Sequence, residues 1–156
     1  MLRSRTHKDE PTWKDWQVRR LANERAALAR TFPDFSFYKP KSTSAYVEGT
    51  WTSETGRAYR IRVQLHQAYP DIVPSVYIVD PYPLLGFGGR AMDTYGSSHL
   101  MHTFDSDEPR VTKLCVVRPE VWDAHWNLSR ILRMSLLWIL AYEFHCDDGT
   151  PVDAFL

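Results

Sequence analysis

Apolar positions follow three regimes along this 156-residue chain. Near the N-terminus Trp13, Trp16, Arg20 or Leu21, Ala27 and Leu28 recur at helical spacing, while Lys14, Arg19, Glu24, Arg25 and Arg30 fall on the opposite face. Thr12 can cap the first turn and forms a capping-box-like pair with Asp15. Pro33 disfavours helical geometry at Phe32, so the pattern predicts a helix from Thr12 to about Thr31. The period then drops to two. Phe35 to Tyr38, Ala45 to Thr52, Tyr59 to Leu65 and Val76 to Val79 read as four strands. Ser53 to Gly56 is a hairpin turn in which Gly56 is free to take positive φ, and Tyr69 to Pro74 is a proline-bounded turn. From Pro81 to Arg110 no period is evident. A segment of that length inside a compact domain is usually functional or mobile, and Gly86-Phe-Gly-Gly89 reads as a flexible flap. A third regime starts at Ser129, read as a helix cap. Ile131, Leu132, Met134, Leu136, Leu137, Ile139, Leu140 and Phe144 are apolar nearly all round, which predicts a buried helix ended by Gly149 and Pro151.

Together these elements predict one α+β domain over residues 1–156: an N-terminal helix, a four-stranded antiparallel meander and a buried C-terminal helix. Residues 1–11 read as a flexible end, with four basic groups among the first eight residues. Composition narrows the function classes. Lys and Arg (19) balance Asp and Glu (19), so bulk charge gives no argument for nucleic acid or an anionic membrane as partner. No apolar run is long enough to span a bilayer, and the N-terminus has no apolar signal core. Two cysteines make no disulfide framework, so the expected setting is a reducing cytoplasm with both thiols free.

The candidate chemistry gathers around Cys115, between a polar, histidine-bearing loop and the last helix pattern. Two readings stand: a small core hydrophobe, or a nucleophile whose thiolate is favoured by Lys113, Arg118 and a nearby histidine. His102 is a candidate acid/base or hydrogen-bond donor beside it. His99 and His102, with Asp105, Asp107 and Glu108, have metal-ligand chemistry but no spacing that fixes them, and they read as a polar surface loop. Trp122, His125 and Trp126 form either a binding rim or a lid on the core. Cys146 reads as a structural thiol.

The order of these pieces resembles the ubiquitin-conjugating enzymes from about Thr12 to Asp148. That family carries Tyr-Pro-x-x-x-Pro after its third strand, and here Tyr69-Pro-Asp-Ile-Val-Pro74 stands in that place. Its active-site stretch, Gly-x-Ile/Leu-Cys-Leu followed by Trp-Ser/Thr-Pro and a helix, is matched by Thr112-Lys-Leu-Cys-Val116, then Trp126-Asn-Leu-Ser129. The family's His-Pro-Asn has no full counterpart. Met101-His-Thr-Phe104 is the nearest, and the only asparagines are Asn23 and Asn127. The two helices that usually follow the central helix are also missing. Both departures are similar to compact bacterial relatives, in particular those of cyclic-oligonucleotide-based anti-phage signalling systems (CBASS). The resemblance implies an enzyme that carries a protein C-terminus as a thioester on Cys115, with His102 or backbone N–H groups supporting the oxyanion. It implies no metal or organic cofactor. The implied partner is a cyclic-nucleotide-producing nucleotidyltransferase whose tail is handled as ubiquitin's would be. An inactive protein-docking module of the same fold is the alternative, and a thiol hydrolase using Cys115 with His102 or His125 is a third.

Overall fold

A computed structural model describes residues 11–156; of the expected flexible end, residues 1–10 lie outside the described residues. Pro11 is tied down, since its carbonyl accepts the Thr43 N–H at 3.0 Å. Helix α1 runs Asp15–Thr31. It starts three residues later than the sequence predicts, because Thr12 is drawn into a β-bridge with Ser42. The Gln17 side chain takes the cap role instead, accepting the Lys14 N–H at 3.0 Å. The strands are β1 (Phe35–Tyr38), β2 (Tyr46–Thr52), β3 (Ala58–Gln64), β4 (Ser75–Asp80), β5 (Thr103–Phe104) and β6 (Thr112–Leu114). Helix α2 is Leu128–Asp148.

All six strands form one antiparallel sheet in the order β1-β2-β3-β4-β6-β5. The predicted meander is its first four strands. Strands β5 and β6 were not legible, because two or three residues are too few to show a period. The alternation in β3 explains the sheet's two faces: Tyr59, Ile61 and Val63 are buried, while Arg60 and Arg62 point outward and each donates through Nε to Glu48 at 2.8 Å. The buried side packs on α2, with Tyr59 edge-on to Tyr142 at 6.1 Å.

Three expectations for the helices need correction. Asn127, not Ser129, caps α2: its Oδ1 accepts the Arg130 N–H at 2.9 Å, and Ser129 Oγ instead meets Thr31 Oγ1 at 2.9 Å. Nor is α2 buried all round. Ile131, Leu132, Trp138 and Ile139 face the core, but Leu137, Leu140 and Phe144 form an exposed stripe. Gly149, at φ +81°, ends the helix as expected. On α1 the sequence places Glu24 on the outer face, yet it is buried with Gln17, Leu21 and Leu28. The reason lies far along the chain. The Glu24 carboxylate accepts the Tyr69 hydroxyl at 2.7 Å and the Leu128 N–H at 2.8 Å, and Arg20 Nε at 3.0 Å. One side chain on α1 thus holds both the Tyr69 turn and the first residue of α2.

Candidate active site

Strand β6 ends at Leu114, so Cys115 is the residue at which the chain leaves the sheet. The β5–β6 ladder pairs Phe104 with Lys113 and Thr103 with Leu114. It continues one step, as the Cys115 N–H donates to the His102 carbonyl at 2.8 Å. Cys115 and His102 are therefore neighbours across the end of a two-stranded ribbon, and both line a cleft of about 290 Å³ together with Ser98, His99, Phe104 and Arg118. A second cleft, of about 310 Å³, shares Ser97 and Phe104 with it and is walled by Val73, Pro74, Lys113, Val116 and Pro119.

His102 holds a backbone conformation that L-residues avoid, with φ +49°. Such geometry costs on the order of 1–2 kcal/mol. The surroundings fix it: the same carbonyl that meets Cys115 also accepts Trp138 Nε1 at 3.0 Å, and the ring is anchored at Nε2, 2.6 Å from Asp153 Oδ1. Asp153 sits in the 3₁₀ turn Val152–Phe155 after α2, and its own N–H donates to the Leu100 carbonyl at 2.8 Å. The hydrogen bond from His102 pulls the Asp153 carboxyl below the usual range. His99 Nε2 lies 3.6 Å from the same oxygen.

Asp153 is the residue that the sequence reading missed. A single aspartate in a tail without period carries no signal. The acidic residues expected near the histidines go elsewhere: Asp107 accepts the Tyr77 hydroxyl at 2.7 Å, and Asp105 accepts the Ser97 hydroxyl at 3.4 Å. The ligand atoms of His99, His102 and Asp153 lie within 4.8 Å of one another, the one group of metal-ligating type among the described residues.

Electrostatics at the thiol differ from the expectation. Burial pushes the Cys115 thiol up; Arg118 opposes this and Glu120 adds to it. Lys113 stands over the Tyr77 ring, 5.7 Å from its centre. Asn127 is committed to capping α2. The N–H groups of Val116 and Val117, next to Cys115, have no hydrogen-bond partner among the described residues.

The other candidates belong to the scaffold. Trp122 Nε1 donates to the Pro70 carbonyl at 2.7 Å and the ring meets Trp126 edge-on at 5.9 Å, so the pair closes the core; His125 is exposed and binds Asp123. The expected flap is docked. Gly86 packs against Met92 and His145, and the buried His145 accepts the Phe87 N–H at 3.3 Å. The sulfur of Cys146, on α2, faces the Leu85 carbonyl at 3.7 Å, and both cysteines are free.

Residues 24–150 match the model of a family described as Type II CBASS E2 protein. The chain belongs to this family. No curated protein and no solved structure matches it. Membership in the CBASS E2 family gives the chain a role in CBASS defence, an E2-like, conjugation-related chemistry in general, and interaction with other CBASS components. The matched span of this CBASS E2 protein contains Cys115 and His102 and stops short of Asp153. No helix among the described residues is long and apolar enough to cross a membrane.

Proposed function

We propose that this CBASS E2 protein has a ubiquitin-conjugating-like fold and carries the C-terminus of a partner protein as a thioester on Cys115. The partner is a cyclic-nucleotide-producing nucleotidyltransferase of the same defence system, and the setting is the cytoplasm. One observation carries the reading: within a chain of this family, the thiol stands at the open end of the β5–β6 ribbon, in a cleft shared with His102. In the first step the Cys115 sulfur attacks the carbonyl of an activated C-terminal acyl group. A C–S bond forms and the activating group leaves. In the second, an amine or other nucleophile attacks the thioester carbonyl, the C–S bond breaks, and the thiol is returned. The tetrahedral oxyanion in each step needs donors, and the unpartnered N–H groups of Val116 and Val117 replace the missing asparagine amide. The adjoining cleft gives an extended tail a path along the sheet edge, where Ser97, Phe104 and Asp105 of the Pro81–Arg110 segment wall it and limit water.

Co-expression with the candidate nucleotidyltransferase, followed by denaturing mass spectrometry, tests this. The wild type should show a hydroxylamine-labile adduct on residue 115, and Cys115→Ser a more stable ester. Intact partner conjugation in Cys115→Ala would refute the reading. The upward push on the Cys115 thiol is the observation that favours the second reading, a docking module without catalysis. Iodoacetamide separates the two: a Cys115 that labels no faster than Cys146, and only after unfolding, supports docking alone.

A further inference from the structure

We infer that Asp153 is a positioning residue that fixes the His102 ring, so that His102 Nδ1 accepts the proton of the nucleophile attacking the Cys115 thioester. This rests on the acyl-carrier reading of Cys115 and adds a residue outside the matched family span. The reasoning starts from one contact. The carboxylate of Asp153 can only accept, so the 2.6 Å contact places a proton on His102 Nε2. A neutral imidazole has one N–H, and here it is committed to Asp153. Its lone pair is then on Nδ1, which has no protein partner among the described residues and belongs to a ring lining the Cys115 cleft. Neutral His102 is thus a base, not an oxyanion donor, which leaves the oxyanion to the backbone N–H groups.

The rest of the site agrees. The His102 carbonyl is pinned by two donors, Cys115 N–H and Trp138 Nε1, so the ring has one attachment to settle, and Asp153 settles it. Asp153 is itself held through its N–H on Leu100. The charged and titratable groups facing the ring are Asp153 and His99, with Arg118 and the Cys115 thiol across the cleft. In the transfer step the amine nitrogen bonds to the acyl carbon and gives its proton to Nδ1. The imidazolium is stabilised by the Asp153 carboxylate. The C–S bond breaks, and the proton passes from Nδ1 to the departing Cys115 sulfur, which restores the starting state.

The test is a double-mutant cycle on Asp153→Asn and His102→Ala, with an independent spectrum. Cys115 is loaded from a synthetic peptide thioester, and its aminolysis by free lysine is followed by intact-protein mass at neutral pH. Asp153→Asn should slow aminolysis about tenfold or more in the wild-type background. It should change the rate less than about twofold once His102 is Ala, because a residue that acts through another has no effect in its absence. Asp153→Glu should recover part of the rate. Equal slowing in both backgrounds, or none in either, overturns the inference. In long-range proton–nitrogen NMR spectra of the neutral ring, the wild type should carry its proton on Nε2, and Asp153→Ala should lose that preference. A wild-type proton on Nδ1 also overturns it. Failure of the wild type to load refutes the Cys115 reading itself, and the spectrum alone then decides whether Asp153 sets the ring.

Discussion

Glu24→Ala should be among the most damaging single changes outside the cleft, although the sequence pattern places Glu24 on the solvent face of α1. Truncation strands two groups. The Tyr69 hydroxyl, on a side chain with no exposure, loses its only acceptor among the described residues, and the Leu128 N–H, which has no partner within α2, loses the carboxylate that satisfies it. A buried donor left unpaired costs about 1–3 kcal/mol. Arg20 is a quarter exposed, so its bond to Glu24 adds under about 1 kcal/mol. The sum is about 2–7 kcal/mol, a large part of the 5–15 kcal/mol typical of a domain. With a urea m-value of about 2 kcal/mol/M, the unfolding midpoint should fall by roughly 1–3.5 M. Glu24→Gln keeps the shape and one acceptor oxygen, so it should lose about half as much. Tyr69→Phe supplies the cycle: with the hydroxyl already gone, Glu24→Ala should cost at least about 1 kcal/mol less than in the wild type. Urea curves followed by circular dichroism read all four proteins. A Glu24→Ala variant within about 1 kcal/mol of the wild type, or strict additivity with Tyr69→Phe, would refute the assignment of Glu24 as the clasp between α1, the Tyr69 turn and α2.

Cys115 alkylation by iodoacetamide should rise with pH to a midpoint above the ordinary thiol value of about 8.5, because burial favours the neutral thiol; Glu120→Gln should lower that midpoint and Arg118→Gln raise it. Gly49→Ala should lower the melting temperature by several degrees, about 1–3 kcal/mol, since the new Cβ would stand 2.6 Å from the Asp34 carbonyl and 2.9 Å from Phe35 Cα, backbone atoms that cannot step aside; differential scanning calorimetry reads this, and an unchanged melting point would show that β1 can shift. The Tyr77 hydroxyl holds the Asp107 carboxyl below its usual value, so this contact contributes stability that is fully present above about pH 4 and is lost as pH falls through the lowered folded value. Tyr77→Phe should therefore be less stable than the wild type at pH 6, with the gap closing under more acid conditions.

Much of the fold was legible because it rests on short-range pattern. The period of 3.6 gave α1 and α2, the period of two gave β1 to β4, and Gly56 and Gly149 marked a hairpin and a helix end at the positive φ they adopt. Cys115 was legible as a candidate because its place in the order of strand, turn, loop and helix resembles a known family. What the sequence could not show depends on contacts between distant segments. Glu24 looks like a solvated helix residue until Tyr69 and Leu128 supply donors 45 and 104 residues away. The apolar ring of α2 says nothing of which side the sheet will leave uncovered, and Leu137, Leu140 and Phe144 are exposed. Strands β5 and β6 are too short to print a period, yet their pairing sets His102 opposite Cys115. Asp153 reaches the His102 ring, 51 residues away in the sequence, only because the turn beyond α2 folds back onto Leu100. Local periodicity determined which segments are helix and which are strand; the identity of the groups facing the thiol was decided by tertiary packing, since a carboxylate becomes a partner only where folding delivers a donor to it.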